Sequence, residues 1–246
     1  MTAETRIRVF APGKDWVQGA VKMILDALHA SGSHTRLVLS GGNTPAALYQ
    51  ELSSPVVKSH VDWRHVRLTF SDERTVPPDH PDSNYRMARE TLLDPLGIPE
   101  HRVIRLRGED PAPAAAVKAH ASLVRWAQRV PLFDVVLLGL GEDGHVASLF
   151  PGTPWPDWGL RLAAATRHPD GADRITLTPH ALCSTRNTFL LVAGESKADA
   201  VRDALTAPAP TPERPATVVG APVVWVLDEE AASRLPEDLR RTAERS

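Results

Sequence analysis

Eight short apolar runs, separated by amphipathic or irregular stretches, constrain the fold of this 246-residue chain more than any other feature. They are Arg6–Phe10, Arg36–Ser40, Val66–Ser71, Arg102–Leu106, Asp134–Gly139, Arg174–Thr178, Thr188–Gly194 and Val223–Leu227. Several, Val135–Leu138 above all, are apolar without alternation, the pattern of strands covered by helices on both faces. Between the runs lie helical signals. Trp16, Val17, Ala20, Val21, Ile24, Leu25 and Leu28 recur at helical spacing ahead of Gly32, a plausible stop. Thr44 before Pro45 reads as an N-cap with proline at the first helical position. Ser83 can cap a helix reaching Leu93, Ala112–Gln128 reads as a longer helix, and Glu195–Leu205 follows a strand and a glycine. This alternation predicts an α/β fold with a mostly parallel sheet. There is no internal repeat and no long flexible linker, so a single domain over residues 1–246 is expected. Pro151–Gly159 and the proline-rich Ala207–Pro215 read as surface loops.

Composition narrows the function classes. A net charge of −2 gives no electrostatic reason to expect nucleic acid or an anionic membrane as partner. The longest apolar stretches, Val135–Gly141 and Val218–Leu227, fall well short of the ~20 residues that cross a bilayer. The opening MTAETRIRVFAPGK lacks an apolar core, so no signal peptide is expected and a cytoplasmic protein is. A single cysteine, Cys183, excludes an internal disulfide, a four-cysteine zinc site and a CxxC pair. Neither HExxH nor paired His/carboxylate spacing occurs, so no metal site is expected. No GxSxG elbow occurs either, which argues against a serine acyl-enzyme.

In an open parallel sheet, ligands bind beyond the carboxyl ends of the strands, so the residues that follow each strand are the informative ones. Ser40-Gly41-Gly42-Asn43-Thr44-Pro45 follows the second run and opens a helix. Two glycines admit a ligand close to the backbone, and hydroxyls and a helix N-terminus supply donors, an anion site suited to phosphate. An ordinary glycine turn with a Thr cap is the competing reading. Ser71-Asp72-Glu73-Arg74 follows the third run: Arg74 can grip a phosphate, and the carboxylates beside it can orient it or bind sugar hydroxyls. A solvated charge run would look the same. Gly139-Leu140-Gly141-Glu142-Asp143-Gly144-His145 follows the fifth run. His145 can take a proton from water and return it to a leaving oxygen, with Asp143 or Glu142 fixing its ring. Lys197, one of five lysines among 28 basic residues, starts the helix after Gly194 and could reach an anion there.

The segments LSGGNTP, SDERTVPPDHPDSNYRMARETLL, LGLGEDGHVASLFPGT and RITLT…LLVAGESKADAV, in this order, resemble the 6-phosphogluconolactonases of the pentose phosphate pathway over nearly the whole chain. The wider superfamily includes glucosamine-6-phosphate deaminases, in which DGH typically continues as IAFNEPG-like sequence. Here it continues VASLFPG, and SDER stands where deaminases carry a DEY-like triplet. The resemblance implies a single-domain, Rossmann-like three-layer α/β/α fold. It also implies hydrolysis of 6-phospho-D-glucono-1,5-lactone without metal or organic cofactor, by a monomer or weak dimer. By match to the family motifs, Ser40, Gly41, Gly42, Asn43, Thr44, Asp72, Arg74 and Lys197 would hold the phosphate and ring. His145 would be the general base, positioned by Asp143, and Arg174 matches a further family arginine. Two rivals follow from the same residues: an amino-sugar-phosphate isomerase/deaminase, in which Asp72 would abstract a C2 proton, and a non-enzymatic sugar-phosphate sensor. A sensor should carry a DNA-binding element or a basic face, and this chain has neither.

Overall fold

The computed structural model describes residues 5–32, 34–153, 155–219 and 222–245. In chain order the first half runs β1 (Thr5–Phe10), α1 (Lys14–Ala30), β2 (Arg36–Leu39), α2 (Asn43–Leu52), β3 (Arg67–Phe70), β4 (Asp72–Arg74), α3 (Asn84–Ala88), α4 (Asp94–Leu96), β5 (Val103–Ile104) and α5 (Ala112–Val124). The second half continues β6 (Phe133–Leu138), β7 (Ala163–Arg167), β8 (Asp173–Leu177), α6 (Pro179–Leu182), β9 (Thr185–Val192), α7 (Ala198–Leu205), β10 (Val223–Asp228), α8 (Glu237–Thr242) and β11 (Glu244–Arg245).

The main sheet has the order β11-β1-β10-β9-β6-β2-β3-β5, and every pairing in it is parallel. All six residues of β6 are buried, which requires cover on both faces and is why Val135–Leu138 reads as an unbroken apolar run. Helix α1 turns Trp16, Ala20, Val21, Ile24, Ala27 and Leu28 into the core, and the Trp16 indole N–H donates to Val226 O at 3.1 Å, tying it to β10. The fold is thus a three-layer α/β/α arrangement.

Two local expectations are corrected, and one strand is added. Asp72–Arg74 is not a loop but β4, the edge of a second, antiparallel sheet ordered β4-β8-β7. Ser71 breaks from β3, donating its N–H to Leu39 O while its carbonyl accepts from Leu177 N, and so passes the chain from one sheet to the other. Thr44 is not the cap of α2: the helix begins at Asn43 with Gly42 at the N-cap, φ 105° and ψ 168°, a conformation open to glycine. Strand β7 follows no apolar run, because Ala163–Ala164–Ala165 carries little β-propensity and is held by pairing with β8.

The order β9-β6-β2-β3 is what positions the site. These four strands are consecutive in the sheet although far apart in sequence. At ~4.8 Å between neighbours, their carboxyl ends span only about 14 Å, and the four loops singled out above leave from those ends.

Candidate functional site

A cleft of about 320 Å³ lies at that rim. It is lined by Ser40, Gly41, Gly42, Asn43, Thr44 and Pro45 after β2, Ser71, Asp72 and Arg74 beyond β3, Gly139, Leu140, Gly141, His145 and Ala147 after β6, and Lys197 beyond β9. Of the residues expected there, two are absent from the lining. Asp143 stands behind His145, in contact with its ring. Arg174 sits on β8 opposite Arg74 with its guanidinium donating to Asp173 O at 3.1 Å.

The histidine loop is built from its own few residues. Asp143 Oδ1 accepts from the main-chain N–H of His145 at 3.1 Å and lies 2.6 Å from His145 Nδ1. The hydrogen bond from His145 holds the Asp143 carboxyl below the usual carboxylate range. An ionised partner can only accept, so Nδ1 carries the proton and the neutral ring keeps its lone pair on Nε2. Asp143, not Glu142, is therefore the partner of His145, while Glu142 Oε1 faces Lys197 Nζ at 3.9 Å. Glycine at 141 is obligatory: a Cβ there would fall 2.1 Å from His145 Nδ1 and 2.4 Å from Asp143 Oδ1.

The other end of the cleft combines backbone donors and cations. The N–H groups of Asn43 and Thr44 stand in the first turn of α2 without helical partners, and the helix dipole adds positive potential. The loop beneath is braced by Tyr49, fully buried, whose hydroxyl accepts from Ser40 N and donates to Ser40 O, both at 2.9 Å. Burial pushes the Tyr49 hydroxyl well above its ordinary pKa, so it stays a donor. Gly41 has no room for a Cβ, which would meet Asn84 Oδ1 at 1.8 Å. Arg74 is aimed by Asp82 O, 2.5 Å from Nη1. Lys197 is set by the turn from Gly194, whose N–H donates to both oxygens of buried Asp228 at the end of β10.

A family description covering glucosamine-6-phosphate isomerases and 6-phosphogluconolactonases matches residues 14–226. The chain belongs to this family. Among its members, the 6-phosphogluconolactonase of Synechocystis is 36% identical over 225 residues, 86% of this chain and 89% of that one. The 6-phosphogluconolactonase of Mycobacterium leprae is 34% identical over 245 residues, 94% of this chain and 98% of that one. The solved 6-phosphogluconolactonase of Trypanosoma brucei superposes with a TM-score of 0.81 at 30% identity, covering 96% of this chain and all of that one. A monomeric glucosamine-6-phosphate deaminase reaches a TM-score of 0.80 at 21% identity, a likeness of fold alone.

Within this family frame, the contacts that brace the Asp72 side of the cleft, and the part Asn84 and Ser148 take in them, escape sequence reasoning. Buried Glu73 accepts from the N–H groups of Arg74, Asn84 and Tyr85 and from Ser83 Oγ, pinning the start of α3 against β4. Asn84 lines the cleft, and its amide donates to Asp72 O at 3.0 Å. Ser148 Oγ donates to Asp72 Oδ2 at 2.7 Å. The signal available was weak: a carboxylate followed ten residues later by Ser-Asn at a helix start. Among the described residues, no group of three or more His, Cys, Asp and Glu side chains is placed to hold a metal ion.

Proposed function

We propose that this chain hydrolyses 6-phospho-D-glucono-1,5-lactone to 6-phospho-D-gluconate, the second step of the oxidative pentose phosphate pathway, with no metal or organic cofactor. The observation that carries the reading is the placement of a carboxylate-oriented imidazole in the same cleft as Arg74, Lys197 and the N-terminus of α2.

A δ-lactone is an activated ester, so an oriented water can open it without a nucleophilic side chain. His145 Nε2 takes a proton from water as the oxygen attacks C1, and Asp143 steadies the imidazolium. Charge grows on the carbonyl oxygen, where backbone N–H groups of a glycine loop can meet it. The C1–ring oxygen bond breaks, and the imidazolium returns its proton to that oxygen. Arg74, Lys197 and the Ser40–Thr44 segment hold the phosphate, and the binding energy of that remote group positions C1 over His145. Arg174 stands outside this constellation and supports β4 from the neighbouring strand.

The deaminase alternative is disfavoured because Asp72, its required base, is anchored through both oxygens by hydroxyl groups. A sensor would have no use for an Asp–His pair. The near-neutral charge, and the absence among the described residues of a helix long and apolar enough to cross a membrane, suit a single-domain enzyme acting on a phosphorylated sugar held inside the cytoplasm. We assign it no nucleic-acid partner and a monomeric or weakly dimeric state. The test generates the phosphorylated lactone in situ and follows acid release by wild type and His145→Gln together. A loss of about 10²- to 10⁴-fold in kcat with an unchanged thermal transition supports the mechanism. Turnover within a few-fold of wild type would sink it.

A further inference from the structure

Asp72 presents an unusual choice for a cleft that receives an anion: a carboxylate only 9% exposed, lining the cavity. It takes part in none of the ion pairs among the described residues and is surrounded by neutral donors. Ser71 Oγ donates to Oδ1 at 3.0 Å, the Asn84 amide approaches the same oxygen at 3.4 Å, and Ser148 Oγ donates to Oδ2 at 2.7 Å. A carboxylate offers about four lone-pair sites. Three are used inside the protein, and one remains for the cleft. A fixed acceptor with one open site is suited to a hydroxyl group.

Ser148 is the anchor that comes from farthest away, 76 residues along the chain. It is 2% exposed, and its own N–H donates to Thr176 Oγ1 on β8 at 3.2 Å. It reaches Asp72 because Ala147 adopts φ 51°, a left-handed conformation that non-glycine residues seldom take. Strain at a cleft-lining residue, placing the next side chain against a cleft-lining carboxylate, is the pattern of a site held in shape for a ligand.

We infer that Ser148 is a positioning residue for substrate recognition: through its hydrogen bond to Asp72 it fixes that carboxylate as the acceptor for one ring hydroxyl of the sugar lactone. It thereby sets the preference for a fully hydroxylated ring. The inference rests on the lactonase reading and goes beyond it by naming the contact that reads the sugar rather than the phosphate. A site built to bond a hydroxyl rejects the analogue lacking it, because the buried acceptor is then left unpaired.

The experiment compares the phosphorylated lactone with analogues lacking the hydroxyl at C2, C3 or C4 in turn, using wild type, Ser148→Ala and Ser148→Thr. In wild type, one analogue should lose about ten- to a hundredfold in kcat/KM. Ser148→Ala should raise KM for the parent by about tenfold, leave kcat within a few-fold, and shrink the penalty on that analogue towards unity. Ser148→Thr, which keeps the hydroxyl, should restore both. Thermal unfolding and inorganic-phosphate titration show whether Ser148→Ala retains its cleft. The inference falls if wild type tolerates all three deoxy analogues equally, a result that needs no variant to fold. It falls also if Ser148→Ala keeps the full penalty, or loses kcat uniformly with KM unchanged. A wild type that does not accelerate hydrolysis of the parent lactone would instead overturn the lactonase reading itself.

Discussion

The two walls of the cleft are built in opposite ways. The histidine wall is assembled within five residues: the Gly141 N–H donates to His145 O at 2.8 Å, Gly144 N to Gly141 O at 3.0 Å, and Asp143 serves both the ring and the backbone of His145. The Asp72 wall draws, through neighbouring Glu73, on Ser83–Tyr85 of the α3 start ten to twelve residues further on, and directly on Ser148, 76 residues from Asp72, and on Thr176 of β8. On the proposed mechanism the proton-transferring group is thus positioned by local contacts, while the proposed sugar contact depends on the whole fold having closed correctly. Damage to the first wall should cost turnover with little stability. Damage to the second should cost stability and affinity together.

The sharpest test is Asp143→Asn. An amide can donate to Nδ1 and turn the ring to the wrong tautomer, so kcat should fall by about 10²- to 10⁴-fold while KM and the melting transition barely move. A kcat within threefold of wild type would reduce Asp143 to a cap of its own loop. Next come Arg74→Ala and Lys197→Ala, each expected to raise KM for the phosphorylated lactone by about ten- to a hundredfold. Hydrolysis of unphosphorylated gluconolactone should be nearly unaffected, and an equal effect on both substrates would remove these cations from the phosphate site.

The smallest effect on chemistry, and the clearest on stability, belongs to Glu73→Gln. Each Glu73 oxygen accepts from two donors, so the amide NH2 of Gln sets a donor against two of the four, and the unfolding free energy should drop by about 1–3 kcal/mol in urea titrations. Burial pushes the Glu73 carboxyl above its ordinary pKa. The folded chain therefore holds that proton more tightly than the unfolded one. This contribution to stability is complete below the unfolded value of ~4.3 and is lost as pH rises through the raised folded value. Glu73→Gln should flatten the wild-type slope across that window, and an unchanged slope would place its origin elsewhere.

Legibility followed the same division. The runs that became β1, β2, β3, β6, β9 and β10 were readable because strands buried on two faces leave little choice of residue. Arg102–Leu106 shrank to the two-residue β5, an edge strand with little burial to reinforce it. Glu195–Leu205 split into a 3₁₀ turn, Glu195–Lys197, and α7, placing Lys197 at the cap. Beyond these, His145 stood out by its address, while the choice of Asp143 over Glu142 as its partner came only with the side-chain geometry.

What the amino-acid order determined by itself was therefore the strand–helix alternation, the glycine-rich turns that end its strands, and a histidine a few residues beyond one of them. Each is decided by apolar periodicity or by contacts a few residues long. Only the tertiary structure decided that β9, β6, β2 and β3 lie side by side, that Asp72–Arg74 is a strand of a second sheet, and that Arg174 backs the cleft rather than lining it. Those outcomes depend on pairings between segments tens of residues apart, whose energies come from burial and registry that no local pattern carries.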